Sequence, residues 1–351
     1  MRRLIWLSAL GCLIPGIVCH AEDDYDIKVY PGARTYDTII VDGKMTERSW
    51  DYAPLAAGFT YYDRPEFVQP QTFLRVIYSP THLIFGIRCD EPLMDKLTPV
   101  AQARDAHAVF STEAVEFFVD PKHSHGDYFQ FAVNAAGSVY DSHLTEPSWN
   151  AKVEAATDLQ ADHWTIELAI PWADLGAKPE PGTVIGFNVC RDRLIGPQRH
   201  WSNWAQTKAN FHDPERFAHL VLSPSAAMLG RLGDEFRKGG RTGQIVIYTR
   251  QGFAHTTYRA LVVNALWNLD GLLAALDAQA VSEDDEASQA ELRRLAAEYR
   301  AQTVPVRDAL ACKSKLDAAE WTRMDYQLNH LASQLSEAVW QARLNALLSR
   351  I

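Results

Sequence analysis

Apolar and polar residues alternate in short windows from about Thr38 to Leu222, and from about Ser225 the apolar positions recur instead at steps of three and four. The first spacing belongs to strands, whose side chains point to opposite faces in turn, and the second to helices. QTFLRVIYS and HLIFGIRCD flank the Pro80-Thr81 turn as a hairpin; EAVEFFVD, YFQFAVN, GSVYDSH, WNAKVEAAT, HWTIELAI, VIGFNVCRD and RFAHLVL follow at sandwich-like spacing. In HWTIELAI, Trp164, Ile166, Leu168 and Ile170 share one face and Thr165, Glu167 and Ala169 the other. The expected fold is therefore mainly β: an antiparallel immunoglobulin-like or jelly-roll β-sandwich, followed by a C-terminal α-helical hairpin or three-helix domain.

The helical half begins after one more strand-like run, QIVIYTR. Residues about 257 to 278 predict a first helix striped by Leu261, Ala265, Leu269, Leu272 and Leu276. Leu292, Leu295, Tyr299 and Val306 predict a second, kinked at Pro305, and Trp321, Met324, Leu328, Leu331, Leu335, Ala338 and Ala342 a long third. An apolar stripe is more often core than partner site, so residues 225–351 are assigned a structural or spacing role, with contact to another protein left open. They contain no repeat, metal-ligand spacing or catalytic motif. The expected division is a leader at 1–21, a β domain at 22–224 and a helical domain at 225–351.

The leader is read from MRRLIWLSALGCLIPGIVCHA: a basic start, a short apolar run broken by Pro15 and Gly16, and a small residue before EDDYD. It predicts a soluble chain, secreted or periplasmic, without a membrane span. Lipidation at Cys12 is the weaker reading, because apolar sequence follows that cysteine. Loss of Arg2 and Arg3 takes the formal charge from −10 to −12, which disfavours nucleic acid and anionic membrane surfaces. Of the five cysteines, Cys89, Cys190 and Cys312 remain; at most one disulfide, Cys89 with Cys190, is expected, and separate buried thiols are the competing reading.

Candidate chemistry lies on the sandwich strands. With Val115, Phe117 and Val119, and Phe129, Phe131 and Val133, turned to the core, Glu116, Gln130 and Asn134 share the opposite face. Fixed acceptors and donors of this kind suit a hydroxyl-rich ligand, although a plain solvated sheet face has the same pattern. The loop WSNWAQTKANFHDPERF, residues 201–217, adds aromatic rings that follow neither period.

The ordered set IIVDGKMTERSWDYAP, HLIFGIRCDEP, STEAVEFFVDP, DYFQFAVNAAGSVYD, HWTIELAIPWADLG, VIGFNVCRD and FHDPERFAHLVL resembles carbohydrate-binding module family 9 and its DOMON-like relatives over about residues 36–222. The resemblance implies a sugar end held between two aromatic rings and hydrogen-bonded by the polar face. It maps the family's glutamate onto Glu116, its glutamine onto Gln130 and its asparagine onto Asn134. Its two tryptophans fall on Phe110 and Phe211, and a sugar-binding arginine falls on Ala132. Lys208 and Arg88 are then the candidate nearby charges, with Trp204 and Trp201 expected to support Phe211 from below. The implied function is non-catalytic saccharide binding. A glycoside hydrolase, or a component of carbohydrate processing, is the first alternative, but Glu113 and Glu116 point to opposite faces of one strand and cannot flank one bond. A haem-binding electron-transfer domain is the second, with His82, His107, His143 and Met94 as available axial ligands. No cofactor is expected; the family's structural calcium is left open, with DEP, DPKHSHGD and DSH as oxygen sources and the metal unassigned.

Overall fold

The computed structural model describes residues 26–238, 245–254, 256–283, 285–311, 316 and 318–348. The leader at 1–21 and Cys312 lie outside the described residues. Strands β1 (Ile27–Arg34), β2 (Thr60–Tyr61), β3 (Thr72–Tyr78), β4 (His82–Asp90), β5 (Ala114–Asp120), β6 (Phe129–Asn134) and β7 (Val139–His143) come first. They are followed by β8 (Glu154–Leu159), β9 (His163–Pro171), β10 (Val184–Arg193), β11 (His200–Asn203), β12 (Ala218–Leu222) and β13 (Ile245–Thr249). Hydrogen bonding runs β7-β6-β5-β10-β12-β1-β3-β4-β9-β8 in one continuous path, with β11 on β10 and β13 on β1.

The expected fold is a mostly antiparallel sandwich; most pairs are indeed antiparallel, but the sheet is mixed. β1 pairs in parallel with β12, β13 and β3, and so joins the two arms of the path. The arms meet across one core: Phe85 of β4 packs on Phe117 of β5 with ring centroids 5.3 Å apart, and on Phe187 of β10 at 6.1 Å. The alternation read from the sequence is the cause, since Val115, Phe117, Val119, Phe129, Phe131, Val133, Trp164, Ile166, Leu168 and Ile170 all enter this core. On the outer face of β9, Glu167 accepts from the backbone of Asp42 and Gly43 and from Trp50 Nε1, which fastens the VDGKMTERSW segment down. Gly43 has φ +85°, and a Cβ there would lie 2.6 Å from the Thr157 carbonyl carbon, so the turn requires glycine.

After the short helices α1 (Arg48–Tyr52) and α2 (Ala226–Lys238), the C-terminal region holds α3 (Tyr258–Ser282), α4 (Glu286–Ala311) and α5 (Ala318–Leu348). α4 continues through Pro305. Val262, Leu269, Leu273, Leu276, Leu292, Val306, Leu328, Leu331 and Leu335 close their common core. α3 is long and apolar enough to cross a membrane, with a mean hydropathy of 1.3 and a third of that window buried, and its stripe faces the other two helices. The helices also seat on the β half: Tyr326 packs with Leu55, Ala57 and Phe73, and Arg323 pairs with Asp90 at 2.9 Å. β13 places Tyr248 in the β core, its hydroxyl donating to Ala57 O at 3.0 Å. Cys89 and Cys190 are separate buried thiols rather than a disulfide, because Cys89 points into the core and Cys190 into the opposite face beside Phe118 and Phe211.

Candidate functional site

Directly paired residues in a sheet share a face, so the registers draw the site. Tyr140 pairs with Ala132, Ala132 with Glu116 and Glu116 with Cys190; Asp192, two residues further along β10, pairs with Trp201. Five adjacent strands, β7, β6, β5, β10 and β11, thus present Tyr140, Gln130, Glu116, Asp192 and Trp201 on the face away from the core. These side chains line one cleft of about 570 Å³ together with Phe110, Phe211 and the His107 and His212 imidazoles. At about 4.8 Å per strand, its ends lie roughly 19 Å apart.

The rings come from two parts of the chain. At one end, from the short helical turn His107–Ser111, His107 packs edge-on with Phe110, and Phe110 in turn with Tyr140, with centroids 4.9 Å apart. At the other, the 201–217 loop is divided by burial. Trp201 is 46% exposed, Phe211 is 8% exposed against Tyr62, and Trp204 is fully buried. Trp204 is core because its indole N–H donates to Ala57 O at 3.0 Å while Lys28 crosses its ring. Asn188 anchors the loop from below, donating to Ala205 O and accepting from Ala205 N.

The floor is a hydrogen-bonded chain. Ser142 donates to Gln130 Oε1 at 3.4 Å, and Gln130 Nε2 donates to Glu116 Oε2 at 2.5 Å. Burial pushes the Glu116 carboxyl up to about 7, opposed by its bonds from Gln130 and Asp192. Asp192 is held well above the usual carboxylate range, first by burial, then by the charge of Glu116 and the hydrogen bond it gives to Glu116. The pair therefore shares a proton, donated by Asp192 and accepted by Glu116.

The structure brings Phe110, Glu116, Gln130 and Phe211 into the cleft and leaves Asn134, Trp204 and Lys208 outside it. Asn134 is fully buried; its amide donates to Val100 O and Thr112, and its carbonyl accepts from Ala136 and Ser138, so it caps a turn. Lys208 lies on the exposed side of its loop, where its backbone N–H donates to Asp213. Arg88 is held by Asp90 at 2.8 Å, away from the cleft. Trp201, expected below Phe211, is instead the ring presented to solvent. Tyr140 and Asp192 escaped the sequence, and Trp201 was given the wrong role, because alternation shows faces within a strand but not which distant strands are neighbours.

Glu113 does not join Glu116. It accepts from the backbone N–H groups of Leu194 and Ile195 and lies 3.8 Å from Arg191, within a buried cluster in which Glu91 also binds Arg191 and Arg193. The acids proposed for calcium are engaged by protein donors: Asp90 by Arg88 and Arg323, Glu91 by two arginines, Asp120 by the backbone of Lys122 and His125, Asp127 by His143 and Asp141 by Arg104. They do not fit a calcium cage. Among the described residues, no group of three or more His, Cys, Asp or Glu is arranged to hold a metal ion. Of the four haem candidates only His107 faces the cleft; His82 bonds Thr81, His143 bonds Asp127 and Met94 packs on the main core.

Endo-1,4-beta-xylanase A of Thermotoga neapolitana is 27% identical over 164 residues, covering 42% of this chain and 14% of the xylanase. The xylanase of the same name from Thermotoga maritima is 25% identical over 200 residues, covering 53% and 17%. The chain thus spans less than a fifth of the length of these curated relatives. A carbohydrate binding module family 9 from Caldicellulosiruptor kristjanssonii, solved with cellotriose, aligns with TM-score 0.43 and 16% identity over 57% of this chain and 95% of that one. The structure of such a module with glucose gives 0.42 and 16%, over 57% and 97%. Residues 41–225, more than half of the 351, match the carbohydrate family 9 binding domain-like family, and the chain belongs to that family.

Proposed function

We propose that this is an exported, non-catalytic saccharide-binding protein, with the ligand lying across the cleft over Glu116 and Gln130 between the Phe110–Tyr140 and Trp201–Phe211 rings. The observation that carries this is the convergence of five neighbouring strands on one concave face bearing fixed polar groups and exposed rings, together with membership of a family named for carbohydrate binding. Ring faces cover the apolar face of a pyranose while hydroxyls meet the carboxyl and amide groups. Glycoside hydrolysis has little support. Glu116 and Asp192 hydrogen-bond each other, whereas a hydrolytic pair stands about 5–5.5 Å apart or more, astride the scissile bond. The basic and apolar start of the chain supports export, and the helical region acts as a spacer or a contact for another protein.

The test is a glycan array on the full chain, followed by calorimetric titration of the best ligand against Glu116→Gln and Gln130→Ala. Each change is expected to weaken binding about tenfold, the worth of one charge-assisted hydrogen bond. Retention of no saccharide, or unchanged affinity in both variants, overturns the reading.

A further inference from the structure

The floor of the cleft is unusual in what it lacks. Its lining contains two carboxyl groups and no lysine or arginine. The nearest guanidinium groups are committed elsewhere: Arg191 and Arg193 bind Glu91, and Arg104 binds Asp141. Where the family resemblance puts an arginine, the chain has Ala132, which is fully buried beneath Tyr140. Of the two amides in the lining, Gln130 spends one N–H on Glu116 and accepts from Ser142, and Asn210 belongs to the flanking loop. The donors around the cleft, on Tyr140, Thr145, Trp201 and the two imidazoles, are all uncharged groups, so the acid pair is the one charged feature of its lining.

A neutral sugar hydroxyl needs both a donor and an acceptor, whereas an ammonium group has three donors and no acceptor. It also gains from the faces of nearby aromatic rings. We propose that the cleft selects an amino sugar, a pyranose carrying a free ammonium group, which sits on the Glu116–Asp192 pair while its ring packs on Trp201 and Phe110. This rests on the saccharide reading above and names the ligand class within it. With one proton retained between the two acids, the pair carries one negative charge and the ammonium neutralises it.

The charge of the pair sets a pH dependence. Besides Gln130 on β6, the groups that face the pair are Tyr140 on β7, Cys190 on β10, and His107 and His212 in the flanking loops, while Glu113, just before β5, acts on Asp192 through its charge from the other face. Burial raises the Cys190 thiol and lowers His212, so these stay neutral near pH 7. Glu116, which burial raises to about 7, gives up its proton as pH climbs from 5 to 7, and amino-sugar affinity climbs with it. Above about 8 the ligand's own amine titrates, much as an α-amino group does, and affinity falls again.

The experiment titrates the full chain with three trimers, fully deacetylated chitotriose, its N-acetylated form and cellotriose, and with cadaverine, at pH 5, 7 and 9. The deacetylated trimer is expected to bind at least about tenfold tighter than either neutral trimer at pH 7, with weaker binding at 5 and 9. The double variant Glu116→Gln with Asp192→Asn, with melting temperature followed to verify folding, removes the charge and is expected to collapse that ratio, whereas Asp192→Asn alone mimics the protonated acid and is expected to keep it; an unchanged ratio in the double variant overturns the proposal. Equal or tighter binding of a neutral trimer overturns the amino-sugar proposal and leaves saccharide binding standing. Cadaverine binding as tightly as the deacetylated trimer overturns the requirement for a sugar ring. If no trimer binds, both readings fall together.

Discussion

Trp201 and Trp204 stand three residues apart in one loop, and the fold gives them opposite duties, so exchanging each for alanine separates binding from stability. Trp201 is 46% exposed in the cleft. From a full side-chain surface of roughly 250 Å², about 115 Å² is then available to a ligand. Covering half to all of that at about 25 cal/mol per Å² is worth roughly 1.4 to 2.9 kcal/mol, or tenfold to about a hundredfold in Kd. Trp201→Ala should therefore weaken the best saccharide by that factor while changing stability by less than about 0.5 kcal/mol, as surface substitutions do. Trp204 is fully buried, bonded to Ala57 and packed on Phe187 and Tyr248. Its replacement should cost about 3 to 5 kcal/mol of stability. Calorimetric titration and urea unfolding of both variants read the two quantities directly. The reasoning is refuted if Trp201→Ala binds as the wild type does, or if it unfolds as early as Trp204→Ala.

Two further outcomes follow from the fold. A chain cut at 224 loses β13 and with it Tyr248 and the Tyr326 cover of Phe73, so it should aggregate on size exclusion, while a monodisperse product would show that the β half closes without them. Glu116 and Asp192 both have folded-state values raised by burial, so the folded state holds protons that the unfolded chain releases. Their contribution is intact below the ordinary carboxylate value of about 4 and is lost as pH rises through the raised values, near 7 for Glu116. Melting temperature should fall over that window in the wild type and fall less in Asp192→Asn; identical slopes would remove the pair as the cause.

Much of the fold was legible because burial on one face writes a period of two into a strand. The core sets of β5, β6 and β9 follow from VEFFVD, FQFAVN and HWTIELAI, and the helical seam from its three- and four-residue steps. β1 was invisible because Pro31 and Gly32 interrupt IKVYPGAR, and proline removes a ladder donor that a central strand ordinarily needs. That omission also hid the parallel pairing, since β1 carries all of it. In the site, Glu116 and Gln130 were readable from alternation, but Asp192 was not. It enters only because β10 lies beside β5, some seventy residues away in the chain, and lateral strand order leaves no local mark.

The same register shapes the floor around Ala132. A guanidinium on β6 beside Glu116 would hold that carboxyl ionised and supply a two-pronged donor. With alanine there, Tyr140 from the next strand lies over the small side chain and packs against Phe110, so a ring occupies the space. Glu116 is steadied from the other side, by its hydrogen bond from Asp192 on β10. The small side chain of Ala132 thus lies between partners from neighbouring strands, and the floor is an acid pair bordered by rings. The preference of the cleft should follow that floor, toward ligands that bring a cation to the acid pair.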